Sequence, residues 1–137
     1  MIEDIKQING LKVINPKIFE DQRGFFFEVY NYEKYNNLLE SEEQFIQDNR
    51  SFSHKNVLRG LHFQNNFPQG KLINVVKGKI FDVAVDIRKN SKSFGKWFSI
   101  ELSSENNRQL WVPPGLAHGF LVLSESAIVE YKVTGKY

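Results

Sequence analysis

Two of the three histidines in this chain sit in segments whose composition could support chemistry. His62 closes the run Arg59-Gly60-Leu61-His62 and is followed by Phe63-Gln64. His118 closes Pro113-Pro114-Gly115-Leu116-Ala117-His118, where prolines and a glycine bend the chain just ahead of a strand. Imidazole can ligate a metal or carry a proton near neutral pH. A first-row metal takes three or more protein ligands. Two histidines with no nearby carboxylate, in a chain without cysteine, are a poor ligand set, so no metal is expected and proton transfer is the stronger reading.

Each neighbouring candidate has a structural alternative. A lone strand histidine is more often a satisfied structural residue than a functional one. Lys71 opens an apolar run and shares parity with Ile73 and Val75, which argues for an inward or rim position over a solvated edge charge. Tyr131 shares a strand face with Ala127, Val129 and Val133 and by itself reads as a core tyrosine. Arg23 beside Gly24 reads as an ordinary turn, with Glu28 as its ion-pair partner. The triplet Phe25-Phe26-Phe27 reads as core or interface. Strict alternation sets Arg59 and His62 on opposite faces, so both can serve one site only if Gly60 permits a bulge or the site spans two layers.

The elements that must position these residues are mostly strands. Twelve Phe, five Tyr and many Val and Ile fall in short runs broken by Gly, Pro, Asn and Ser. Strands are expected over 11–19, 24–30, 45–52, 57–64, 72–76, 80–87, 97–102, 109–112, 119–123 and 127–133, with a hairpin at Lys77-Gly78-Lys79. In the run 80–87, Phe81, Val83, Val85 and Ile87 alternate with Asp82, Ala84 and Asp86, the period of a strand. Only 32–40 has helical spacing, through Tyr32, Tyr35, Leu38 and Leu39. The pattern implies an all-β, barrel or jelly-roll architecture with one short helix, in a single domain spanning 1–137.

Composition narrows the function classes. A net charge of +2 with no basic run argues against nucleic acid. No stretch approaches the ~20 apolar residues of a membrane span. The acidic start Met1-Ile2-Glu3-Asp4 is not a signal peptide, so a cytoplasmic protein is expected.

The Pro-x-Gly-x-x-His segment resembles the second conserved motif of cupins, which implies a cupin-type jelly-roll β-barrel. Metal-binding cupins carry two histidines one residue apart and a nearby glutamate in the first motif; here that place reads His62-Phe63-Gln64. The whole chain resembles the dTDP-4-dehydrorhamnose 3,5-epimerase family. The resemblance is carried by Asp21-Gln22-Arg23-Gly24-Phe25-Phe26-Phe27-Glu28, Gln47-Asp48-Asn49, Val57-Leu58-Arg59-Gly60-Leu61-His62-Phe63-Gln64 and Gly70-Lys71-Leu72. It continues through Phe81-Asp82-Val83-Ala84-Val85-Asp86-Ile87-Arg88, Phe94-Gly95-Lys96-Trp97 and Trp111-Val112-Pro113-Pro114-Gly115-Leu116-Ala117-His118-Gly119-Phe120.

That resemblance implies His62 as the base, Tyr131 as the proton donor and Lys71 beside the sugar, with His118 as a second active-site histidine. It implies nucleotide contacts from Arg23, Glu28, Gln47, Asn49 and Arg59, some of them across a homodimer interface, and thymine stacking by Tyr137. The activity implied is cofactor-independent epimerisation of a dTDP-linked 4-keto-6-deoxy sugar. The residue types suit it: an imidazole titrates near operating pH, a phenol stays protonated until an enolate takes its proton, and a lysine can stabilise the enolate oxygen. No redox cofactor is needed, because the ketone already acidifies its neighbouring C–H bonds. Family members continue for several dozen residues beyond the equivalent of Tyr137, and that segment carries the aspartate that orients the catalytic histidine. Asp82 is the substitute candidate for that orienting carboxylate here. Alternatives from other classes are an epimerase acting at C3 or C5 alone, a non-catalytic sugar-nucleotide binding module and a metal-dependent cupin.

Overall fold

The computed structural model describes residues 1–40, 43–64 and 66–135. Alternation along the strands decides which side chains turn inward. In β8 (Lys79–Asp86), Ile80, Asp82, Ala84 and Asp86 are buried, whereas Phe81, Val83 and Val85 lie on the outer side. The same rule applies in β12 (Ser126–Gly135), where Ala127, Val129 and Val133 point into the core and Tyr131 packs against it.

Two antiparallel sheets enclose that core. One has six strands in the order β1 (Ile2–Asp4), β2 (Lys12–Ile14), β10 (Gln109–Val112), β7 (Lys71–Lys77), β12, β5 (Gln44–His54). The other has four, β6 (Leu58–His62), β11 (Leu116–Val122), β8 and β9 (Trp97–Ser103). Ile73, Val75, Leu110 and Val129 of the first sheet meet Ile80, Leu102, Phe120 and Val122 of the second. The chain crosses between the sheets at β5–β6, β6–β7, β7–β8, β9–β10, β10–β11 and β11–β12, and the fold is the expected cupin-type jelly roll. No helix among the described residues is long and apolar enough to cross a membrane.

Those crossings correct the expected hairpin at Lys77-Gly78-Lys79. β7 pairs with β10 and β12, and β8 with β11 and β9, so the two runs never pair with each other. Gly78 is a corner between sheets, at φ +88° with space for a Cβ closed by the Ser126 carbonyl oxygen. The expected strand over 11–19 is also broken. It ends at Ile14 just before Asn15-Pro16, and Phe19–Asp21 (β3) pairs instead with Gly24–Phe26 (β4) as a separate two-stranded arm. Phe25 and Phe26 on that arm are exposed, which removes them from the core of the protomer.

The helix α1 (Tyr32–Leu39) matches its expected place and covers the outer face of the six-stranded sheet. The Asn31 side chain caps it by accepting from the Lys34 backbone N–H, and Glu40 ends it in the left-handed region. Tyr35 and Leu39, one turn apart, pack with Ile14, Leu72 and Trp111. The Tyr35 hydroxyl donates to Gln109 Oε1 at 2.7 Å, and burial pushes this phenol up to about 12.

Gly60 sets the register that matters most for the site. His62 pairs with His118 and Arg59 with Phe120, so three residues of β6 span two of β11. This bulge resolves the alternation conflict, turning Arg59 and His62 to the same face. Gly60 lies at φ +108°, and a Cβ there would meet Gly119 Cα and the His118 carbonyl oxygen at 2.7 Å each.

At the far end of β8, the fully buried Asp86 organises the turn into β9. It accepts from the Arg88 backbone N–H and guanidinium at 3.0 Å and from the hydroxyls of Ser91 and Ser93. Burial alone would raise this carboxyl, but those donors outweigh it and hold it well below the usual range. A depressed native value adds stability above the unfolded value of about 3.9, and that stability is lost as pH falls through the native one. In urea titrations Asp86→Asn is therefore expected to destabilise at pH 7, with the gap to the parent narrowing progressively below about pH 4. A gap independent of pH would contradict this. Gly60→Ala is expected to cost about 2–4 kcal/mol by the same titration, because the Cβ has backbone on two sides and the φ is unfavourable. An unchanged midpoint would show that β6 adjusts freely.

Candidate active site

The inner-facing polar residues gather at one end of the barrel, where the apolar core stops. β7 enters with Lys71, one alternation before Ile73 and Val75, so its side chain continues the inward row beyond the core. β12 and β5 pair Tyr131 with Asn49 and Val133 with Gln47, which places Asn49 and Gln47 beside the tyrosine. β6 ends at His62, turned inward by the Gly60 bulge. These five expected site residues line one cavity of about 320 Å³. Its wall also includes Phe63, Gln64, Gln69 and Leu116. The expectations named none of these four for the site; the identity of Gln64 within the His62 motif was the available signal.

Inside the cavity the polar groups are ordered by short contacts. Gln47 Nε2 donates to Asn49 Oδ1 at 2.9 Å. Lys71 Nζ lies 5.6 Å from the centre of the Tyr131 ring, within cation–π range. Burial lowers the Lys71 ammonium from its ordinary value, and the charge of Asp82 pulls it partly back up. Arg59, three residues before His62 on the same face, donates from Nε to Ser53 Oγ at 2.8 Å. Its guanidinium also reaches the Phe52 carbonyl oxygen, leaving further donors for an anion.

A second pair is not among the residues that line this cavity. His118 Nε2 is 2.9 Å from both Asp82 oxygens, and both side chains are buried. Burial pushes the Asp82 carboxyl up, while His118 and Lys71 hold it back. Asp82 is therefore bonded to His118 and not to His62, which corrects the partner expected for it. Alternation set Asp82 on the face opposite Phe81 and Val83, and that face of β8 is the buried one, next to His118.

Arg23 and Glu28 are not brought to this cavity. Arg23 sits on the exposed arm and pairs with Asp21 at 2.6 Å, and Glu28 pairs with Lys34 at 2.8 Å, so the Arg23–Glu28 ion pair is not formed. Tyr137 lies outside the described residues. Among the described residues no three His, Asp or Glu side chains converge as a metal site.

Chemically, the cavity offers an imidazole, a phenol and an ammonium from three different strands, with amides beside them. That set can remove a proton, return one and stabilise an oxyanion between the two events.

Comparison with known proteins gives the same direction. The family model described as dTDP-4-dehydrorhamnose 3,5-epimerase matches residues 6–137. The dTDP-4-dehydrorhamnose 3,5-epimerase of Salmonella typhimurium is 55% identical over 131 residues, covering 95% of this chain and 72% of that protein. The Escherichia coli protein of the same name is 51% identical over 132 residues, 96% of this chain and 71% of its own length. The crystal structure of the dTDP-6-deoxy-D-glucose-3,5-epimerase from Legionella pneumophila Philadelphia 1, in complex with dTDP-4-keto-L-rhamnose, superposes with a TM-score of 0.93. It is 51% identical, and the alignment covers 100% of this chain and 73% of that one. This chain belongs to the dTDP-4-dehydrorhamnose 3,5-epimerase family.

Proposed function

We propose that this protein epimerises dTDP-4-dehydro-6-deoxyglucose to dTDP-4-dehydrorhamnose, with His62 as base, Tyr131 as acid and Lys71 at the ketone oxygen. It is an isomerase of the epimerase class. The observation that carries the assignment is the meeting of His62, Tyr131 and Lys71, from β6, β12 and β7, in a single cavity. His62 takes the α-proton, the electron pair delocalises onto the C4 oxygen beside Lys71, and Tyr131 returns a proton to the opposite face of the carbon. Asn49 and Gln47 orient the sugar, and Arg59 binds the diphosphate through its remaining donors.

The reading includes a homodimer in the cytoplasm. Arg23 and Glu28 stand on or beside an exposed arm, away from their own protomer's cavity, and Phe25 and Phe26 are 61% and 69% exposed there. Both facts support an arm that crosses to a partner and contributes Arg23 and Glu28 to the partner's site.

The substrate incubated in deuterium oxide is expected to take up deuterium at C3 and C5, and His62→Ala to lower uptake roughly 10²–10⁴-fold. Tyr131→Phe should retain exchange on the base's side while losing inversion. Uptake at one carbon alone would leave a single-site epimerase, and binding without uptake would leave a binding module. For the dimer, mixing Arg23→Ala with His62→Ala is expected to restore about a quarter of parent activity, from the one intact site per mixed dimer. A mixture no more active than either variant alone would show that the arm serves its own protomer.

A further inference from the structure

The connection from β8 to β9, residues 87–96, stands beside the connection from β1 to β2, and a groove of about 880 Å³ lies between them. Five of its ten described lining residues are cations: Lys6, Arg88, Lys89, Lys92 and Lys96. The others carry amides or hydroxyls, so neither a carboxylate nor an apolar side chain is among the described walls. None of them lines the cavity that holds His62.

The four lysines are exposed, and none is in an ion pair among the described residues. Asp86, beneath the groove, does not offset them. It is fully buried, and its carboxylate is taken up by Arg88, Ser91 and Ser93. One guanidinium answers that carboxylate, which leaves four ammoniums facing one concavity with no local counter-charge. Like charges held this close repel, and an anion between them relieves that cost.

The walls are also held in place. Gly95 donates its N–H to the Asp86 carbonyl oxygen at 2.7 Å, and the Lys96 carbonyl accepts from the Asp86 N–H at 2.9 Å. Within the turn, Ser91, Phe94 and Lys96 donate backbone N–H groups to Arg88, Ser91 and Ser93. Arg88 then joins the two walls, donating from Nη2 to the Asn9 carbonyl oxygen at 2.8 Å. A groove fixed in this way loses little backbone freedom when it binds.

We propose that this groove is a binding site for a compact oligophosphate anion, separate from the cavity of His62, Lys71 and Tyr131.

The lining selects among anions. Its volume lies within the range of about 300–1,000 Å³ common to small-molecule sites. Protein interfaces are rich in aromatic anchors and poor in lysine, the reverse of this composition. The described walls have no ring on which a nucleobase could stack. What they offer is several ammoniums acting as point charges, with amides and hydroxyls beside them, which suits linked phosphate groups. The site does not rest on the epimerase reading.

The experiment titrates inorganic tripolyphosphate into the full chain at low salt, followed by calorimetry and by ¹H–¹⁵N amide spectra. Saturable binding is expected, with the amides of residues 6–9 and 88–96 shifting most. Lys89→Gln combined with Lys92→Gln should raise Kd about tenfold or more, because two of the four free ammoniums are lost. Lys6→Gln combined with Lys96→Gln removes one charge from each wall and should do the same. All four side chains are exposed, so both proteins keep the fold. Arg59→Ala should leave Kd within about twofold, since Arg59 belongs to the other cavity. A glutamate oligomer of matched charge should bind at least about tenfold more weakly. Absence of saturable binding, or an unchanged Kd in either lysine pair, overturns the proposal. Binding lost in Arg59→Ala overturns it by placing the anion in the cavity of His62. A glutamate oligomer that binds as tightly overturns it by making the groove a docking face for an acidic protein.

Discussion

Where β6 runs beside β11, the backbones approach so closely that a Cβ on Gly60 would stand 2.7 Å from Gly119 Cα and from the His118 carbonyl oxygen. Two glycines facing each other permit this approach, and the extra residue it admits into β6 reverses the face presented after Arg59. Without that reversal either His62 or Arg59 would point to solvent, because side chains alternate along a strand. With it, His62 lines the cavity, in register with the buried His118 of the neighbouring strand.

The barrel must also house ions next to an apolar core. Ile73, Val75, Val129 and Val133 occupy the same inward rows of β7 and β12 as Lys71 and Tyr131, so core and site differ only in position along each strand. A carboxylate taken fully out of water is costly unless bonded, which is why Asp82 faces His118 with both oxygens. Tyr131 shows the same economy of placement. It packs against the core, as the alternation with Ala127 and Val129 suggested, and also lines the cavity.

What was legible in the sequence followed from local periodicity. Parity placed Lys71 inward or at the rim, helical spacing gave α1 its position, and the Arg59–His62 alternation flagged Gly60 as the residue that had to bulge; the apolar Phe81 and Val83 row of β8, by contrast, is its outer face. Periodicity could not reveal which strand of the opposite sheet each run would face. Lys77-Gly78-Lys79 therefore looked like a hairpin when it is a corner between sheets, and Asp82 was matched to His62 when His118 lies next to it. Arg23 and Glu28 mark a different boundary. Their local partners, Asp21 and Lys34, are exposed and specify no long-range geometry, and neither Arg23 nor Glu28 lines the cavity that holds His62.

The central claim is that base, acid and cation surround one sugar ring, and a crystal structure of the protein with dTDP-4-keto-L-rhamnose tests it most directly. The account predicts the ring inside the cavity of β5, β6, β7 and β12, with His62 and Tyr131 on opposite faces and Lys71 Nζ within hydrogen-bond distance of the C4 oxygen. A sugar bound with both His62 and Tyr131 on the same face, or outside that cavity, would contradict it.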